Sequence, residues 1–193
     1  MVPENNEQIG FGGLPADILH LSQRVSDLPT VLDELNSLVT SGIIKDYAIG
    51  GGYAVMYHGI PYSTFDLDVL VVLGSEEDFQ RLYTYYRNKG NKIENVYIYI
   101  STMPVQFLPN YISPLFNNAI KAAQRIEVNG VPSKVVKVEY LIALLLTAFR
   151  PKDKIHIIEL SKNADMPMLN KILRMLDDGQ LLSERLKEVL GHS

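Results

Sequence analysis

Two aspartates, Asp66 and Asp68, stand two residues apart at the head of the apolar run 69–73, and three glycines, Gly50, Gly51 and Gly52, precede them. Side chains two apart on a strand project from one face. The pair therefore sets two carboxylates side by side, where they repel unless something positive holds them. A hard divalent cation, Mg2+ or Mn2+, suits such oxygen ligands. The glycines follow a short apolar run, 47–49, and open a segment, 53–58, that reads as one or two helical turns ending at Gly59. A glycine turn at a helix start offers backbone N–H groups and the positive end of the helix dipole to a phosphate. The two halves together describe a site for a metal-bound nucleoside triphosphate. A plainer reading of the same residues is a helix-start turn followed by a strand entry with two solvated aspartates.

The order of glycine turn, short helix and then Thr64-Phe65-Asp66-Leu67-Asp68 resembles the nucleotidyltransferase superfamily with the DNA polymerase β-like fold. Its small bacterial members, the AbiEii-type toxin group and the aminoglycoside and lincosamide nucleotidyltransferases, are the nearest in pattern. The resemblance implies transfer of a nucleoside monophosphate from an NTP to an acceptor hydroxyl with Mg2+, releasing pyrophosphate. It implies Asp66 and Asp68 as catalytic metal ligands, with Gly50, Gly51, Gly52, Ser63 and Thr64 around the nucleotide. A small antibiotic, a tRNA end or a protein hydroxyl all remain open as acceptor.

The family also places a third carboxylate on a neighbouring strand. The strand in the matching place is 103–108, and its position holds Gln106. Glutamine offers a neutral oxygen and cannot take a proton as a base. Either the enzyme works with two carboxylates and one metal, or the chain is a catalytically impaired nucleotide-binding or toxin–antitoxin-type interaction module. Glu94 is a nearby acid that could replace the missing charge. Tyr62 stands where many relatives carry arginine, which removes one phosphate partner. Arg150-Pro151-Lys152-Asp153 resembles the ending of a later helix in the family, although Leu144-Leu145-Leu146 occupies the stretch where many members have a lysine. Lys152 could reach the triphosphate as a compact point charge, or be a solvated neighbour of Asp153, which reads as an N-cap.

These residues need a scaffold, and the pattern predicts an α+β one: a small mixed β-sheet flanked by helices over 1–138, with 1–13 loose, and a helical C-terminal part, 139–193, packed on it. Helices are expected at 15–25, from a cap at Ser26 or Asp27 to Gly42, and from Ser75 to Gly90. Strands are expected at 93–100 and 105–108, and a helix at 113–123. Asn129-Gly130 marks a hairpin between 125–128 and 131–138. Helices follow at 139–149, 154–160, after Asp165, and at 181–190.

Composition narrows the partners. Of 193 residues, 47% are hydrophobic, ample for a core, and the net charge of −4 gives no basic surface for duplex DNA. The absence of cysteine removes disulfides and zinc-thiolate chemistry and fits a reducing cytoplasm. The polar, acidic N-terminus is unlike a secretory signal, and no apolar run is long enough for a membrane partner. His20, His58, His156 and His192 show no metal spacing, and His58 reads as a helix-end residue. No Ser-His-Asp arrangement is visible. Tyr83, Tyr85, Tyr86, Tyr97 and Tyr99 read chiefly as packing residues, with base stacking the alternative.

Overall fold

Strand β2 (Leu67–Val72) is the inner rung on which the motif is built. Its Val69, Leu70 and Val71 are all buried. A strand covered on both faces reads as a continuous apolar run rather than an alternation. β1 (Asp46–Ile49) pairs with it antiparallel, and β5 (Met103–Pro109) pairs parallel on its other side. β3 (Ile93–Glu94) and β4 (Tyr97–Ile100) extend the β5 edge, while β7 (Val131–Val135) and β6 (Gln124–Val128) extend the β1 edge. The result is one seven-stranded mixed sheet in the order β3-β4-β5-β2-β1-β7-β6. The computed structural model describes residues 16–176 and 178–191, with 16–26 by backbone alone. The expected loose segment 1–13, the side chain of His20 and all of His192 lie outside the described residues.

Eight helices accompany the sheet among the described residues: α1 (Ala16–Thr40), α2 (Gly51–Tyr57), α3 (Glu76–Asn88), α4 (Pro114–Lys121), α5 (Val138–Ala148), α6 (Pro151–Ser161), α7 (Met166–Arg174) and α8 (Gly179–Leu190). The α+β architecture expected from the pattern is what the chain adopts. Ser75 caps α3 through the Asp78 N–H, and Asp165 caps α7 through the Met168 N–H. Asn129 and Gly130, at φ 49 and 84, form the two-residue hairpin turn. α5 is the hub of the helical part, packing on α6, α7 and α8 and also on α2 and α4. Val31, Val69, Leu82, Val105, Leu141, Leu146, Leu173 and Leu186 belong to one continuous core.

Three expectations are corrected. Among the described residues, 16–40 do not form two helices split at Ser26 or Asp27. α1 runs through with Pro29 inside it, and Asp27 accepts from the Thr102 backbone N–H and hydroxyl instead of capping. The stretch 93–100 is not one strand. Asn95 takes the left-handed conformation, φ 55, which asparagine tolerates. The chain reverses there, so that β3 and β4 pair antiparallel with Glu94 opposite Tyr97. Finally, α6 begins at Pro151 rather than 154. Phe149 closes α5 at φ 50, Arg150 is extended, and Pro151 supplies a preset first-turn φ. The break between the two helices thus spans 149–150 alone.

Candidate nucleotide site

The sheet register builds the acidic end of the site. Asp68 on β2 pairs with Gln106 on β5, and Gln106 pairs with Tyr97 on β4. Residues paired across neighbouring strands share a face. Asp68, Gln106 and Tyr97 therefore form one row. Asp66 precedes β2 and is held by two hydroxyls, Thr64 Oγ1 donating to Oδ1 at 2.9 Å and Tyr97 OH to Oδ2 at 3.2 Å. Burial pushes the Asp68 carboxyl up to about 6, the charge of Asp66 adds to the rise, and Arg150 and Lys152 act in the opposite direction. Two crowded carboxylates short of positive charge are what a divalent cation relieves.

The glycine turn lies directly on this strand. Gly50 N–H donates to the Asp68 backbone carbonyl at 2.8 Å, which docks the start of α2 against β2. Gly51 adopts φ +52, and a Cβ there would overlap the Asp68 carboxylate. At Gly52 a Cβ would stand 2.6 Å from Thr64 Cβ. Sequence spacing suggested glycines as room for a phosphate; packing adds a nearer reason, because Asp68 at Gly51 and Thr64 at Gly52 occupy the space that a Cβ would take.

The far wall comes from the α5–α6 junction. A cavity of about 130 Å³ is lined by Gly51, Gly52, Thr64, Asp66, Asp68 and Gln106 on one side and by Leu145, Arg150, Lys152, Asp153 and His156 on the other. Tyr62 and Tyr97 also line it. The Asp153 carboxylate is buried and accepts from the Arg150 backbone N–H at 2.9 Å and from its guanidinium Nε at 2.8 Å. It does cap α6, but from the third residue of the helix rather than from the N-cap position. Lys152 Nζ lies 3.2 Å from the Tyr62 hydroxyl. His156 is buried with its ring edge-on to Tyr62 at 4.7 Å, and desolvation lowers its pKa below the usual value.

Of the residues singled out in the sequence, Gly51, Gly52, Thr64, Asp66, Asp68, Gln106 and Lys152 share this cavity. Gly50 sits behind it as the N-cap of α2. Ser63 lines an adjoining cleft with Thr64, Asp66 and Lys152. Glu94 does not supply the missing charge: it ion-pairs with Lys92 at 2.8 Å and accepts from Tyr99 OH at 3.1 Å. His58 ends α2, with Nε2 2.8 Å from the Val136 carbonyl. The lining residues that were not singled out as site residues include Tyr97, Arg150 and His156. His156 follows Lys152 by one helical turn, so their shared face was readable in the spacing. Tyr97 depends on a strand pairing that no local spacing encodes.

The donor set suits a hard cation, with two carboxylates and an amide oxygen on one face. No group of three His, Cys, Asp or Glu that could hold a metal occurs among the described residues.

A solved structure shares the architecture. An antigenic nucleotidyltransferase-like protein from Paracoccidioides brasiliensis superposes with a TM-score of 0.53, covering 90% of this chain and 94% of its own, at 19% identity. The chain has the nucleotidyltransferase-like fold. ANT(2")-Ia in complex with adenylyl-2"-tobramycin aligns with a TM-score of 0.49 over 82% of this chain and 98% of its own, at 13% identity. No family model and no curated protein sequence matches the chain, so the AbiEii-type likeness stands on the motif residues alone. No described helix is long and apolar enough to cross a membrane.

Proposed function

We propose that this protein is a metal-dependent nucleotidyltransferase that moves a nucleoside monophosphate from an NTP to an acceptor hydroxyl. One observation carries the reading: the Gly51 turn is packed against Asp68 in a cavity that also holds Asp66, Gln106, Arg150 and Lys152. The N–H groups of Gly51 and Gly52, at the first turn of α2, are suited to the triphosphate. Lys152 and Arg150 balance its charge from the opposite wall. Asp66 and Asp68 would hold Mg2+, which when bound neutralises charge on the phosphoryl oxygens. Gln106 presents its amide beside them as a hydrogen-bonding group, not as a base.

An apolar cleft lined by Leu70, Leu108, Phe116, Leu141 and Leu144 opens beside Gly51, Asp68 and Arg150. We assign it to the nucleoside. The acceptor oxygen then attacks the α-phosphorus, the bond to the β-phosphate oxygen breaks, and pyrophosphate leaves. Catalysis rests on positioning and charge, as in other phosphoryl transfer. The α5–α6 junction is the helical wall that closes the site, and a chain without cysteine suits the cytoplasm.

Gln106 favours one other reading, a nucleotide-binding interaction module without transfer, of the toxin–antitoxin type. Calorimetry with each NTP, with and without Mg2+, followed by an assay for pyrophosphate separates the two. Mg2+-dependent binding with acceptor-stimulated pyrophosphate release supports the enzyme. Binding with no release from any acceptor supports the module, and no Mg2+-dependent binding refutes both.

A further inference from the structure

A second cleft adjoins Asp66. It is lined by Tyr62, Ser63, Thr64, Phe65, Asp66, Tyr97, Tyr99, Pro104 and Lys152 and encloses about 370 Å³, enough for a molecule of one or two rings. Five of its walls are rings. Phe65 is 64% exposed and stands in this cleft with Tyr62, Tyr97 and Tyr99, so the cleft offers an aromatic surface to a ring. Its charged groups are Asp66 and Lys152, one of each sign, so a polycation finds no cluster of acids there.

The second observation is chemical. An aliphatic hydroxyl needs a base to become a nucleophile at neutral pH, and no free base faces this cleft among the described residues. The register position beside Asp68 holds Gln106. Asp153 is tied to Arg150, Glu94 is bound by Lys92 and Tyr99, and His156 lines the inner cavity but not this cleft. Asp66 is held by Thr64 and Tyr97 and is committed to the cation in the reading above. A site without a base suits an acceptor that ionises by itself. A phenolic hydroxyl does so at about pH 10 when unperturbed, and a nearby ammonium such as Lys152 favours the anion.

We propose that the acceptor is a small aromatic molecule bearing an acidic, phenolic hydroxyl, seated on the ring-lined cleft around Phe65 and Tyr97. This rests on the nucleotidyl-transfer reading. The phenol loses its proton to solvent, and the phenolate oxygen attacks the α-phosphorus of the NTP. The bond from the α-phosphorus to the bridging oxygen breaks, and pyrophosphate leaves with its electron pair. The product is an aryl ester of the nucleoside monophosphate.

The test uses the full chain with Mg2+ and whichever NTP binds in calorimetry. Pyrophosphate release is followed with nitrophenol, phenol, cyclohexanol and a tyrosine-containing peptide. Nitrophenol, ionised at pH 8, should exceed cyclohexanol by at least about 100-fold, the low end of what a positioned base contributes. The rate with phenol should climb with pH without levelling below its own ionisation. Gln106→Asp, which puts a base beside Asp68, should narrow the ratio of the nitrophenol rate to the cyclohexanol rate. Phe65→Ala should raise KM for nitrophenol about tenfold and leave NTP affinity unchanged. Cyclohexanol turning over as fast as nitrophenol overturns the proposal while nucleotidyl transfer stands. So does turnover of the peptide but of no free phenol, or a loss of NTP affinity in Phe65→Ala. Failure of every NTP to bind with Mg2+ overturns the transferase reading itself, and this proposal with it.

Discussion

Replacing Asp68 by asparagine should stabilise the metal-free protein, although the residue lies at the centre of the proposed site. The Asp68 carboxyl ionises near 3.8 in an open chain and at about 6 in the fold, chiefly because of burial and then because of Asp66. Its pKa is raised on folding, so below about pH 4 both states hold the proton and no penalty exists. Between about 4 and 6 the unfolded chain loses the proton first, and stability falls as pH rises. Above the folded pKa the penalty is complete, about 3 kcal/mol at 1.36 kcal/mol per pH unit. Asp68→Asn removes it. For a chain of this length that corresponds to a melting temperature higher by about 6–12 °C at pH 8, shrinking toward zero near pH 4. Mg2+ should close most of this gap. Saturating metal, at about 100 times its Kd, stabilises the parent by about 2.7 kcal/mol and should leave the variant nearly unchanged. Thermal melts of both proteins by circular dichroism, from pH 4 to 8 with and without Mg2+, give the answer. A variant no more stable than the parent at pH 8 without metal, or a gap that does not close on acidification, would refute the reasoning.

Gly51→Val places a β-branched side chain at φ +52 and into the Asp68 carboxylate. It should lower stability by about 1–3 kcal/mol and abolish Mg2+-dependent NTP binding in calorimetry; a folded variant that binds as the parent does makes the glycine run merely structural. Gln106→Asp adds a third charge in register with Asp68, so its melting temperature should rise more with Mg2+ than the parent's does. An equal rise would mean that residue 106 does not act with the aspartate pair. Asp153→Ala removes the acceptor for the Arg150 N–H and guanidinium. Urea unfolding should show a loss of about 1–3 kcal/mol, and a change under 0.5 kcal/mol, the scale of an ordinary surface substitution, would show that the cap does not hold the α5–α6 junction.

The sequence by itself determined the parts of the site that are close together in the chain. Asp66 and Asp68, two residues apart, line one cavity although only Asp68 lies on β2, and Ser75, Asp165 and Asn129-Gly130 mark ends and turns because their backbone groups are satisfied within a few residues. Length and hydrophobic pattern were enough for an α+β sheet followed by helices. Local signals misled where distant partners compete for a residue. Asp27 looked like a cap, yet Thr102 takes its carboxylate, and α1 continues through Pro29. The run 93–100 looked like one strand because β-forming residues fill it, and only the pairing with β5 fixes where Asn95 turns it back. Glu94 looked available as a charge until the hairpin handed it to Lys92 and Tyr99. The family resemblance pointed to Gln106 and Lys152; tertiary structure alone decided that Tyr97 reaches Asp66 and that Arg150 and His156 join Lys152 in the aspartate cavity. Each of these contacts joins residues far apart in sequence. Such contacts follow from sheet register and helix packing over the whole core, which no local spacing carries.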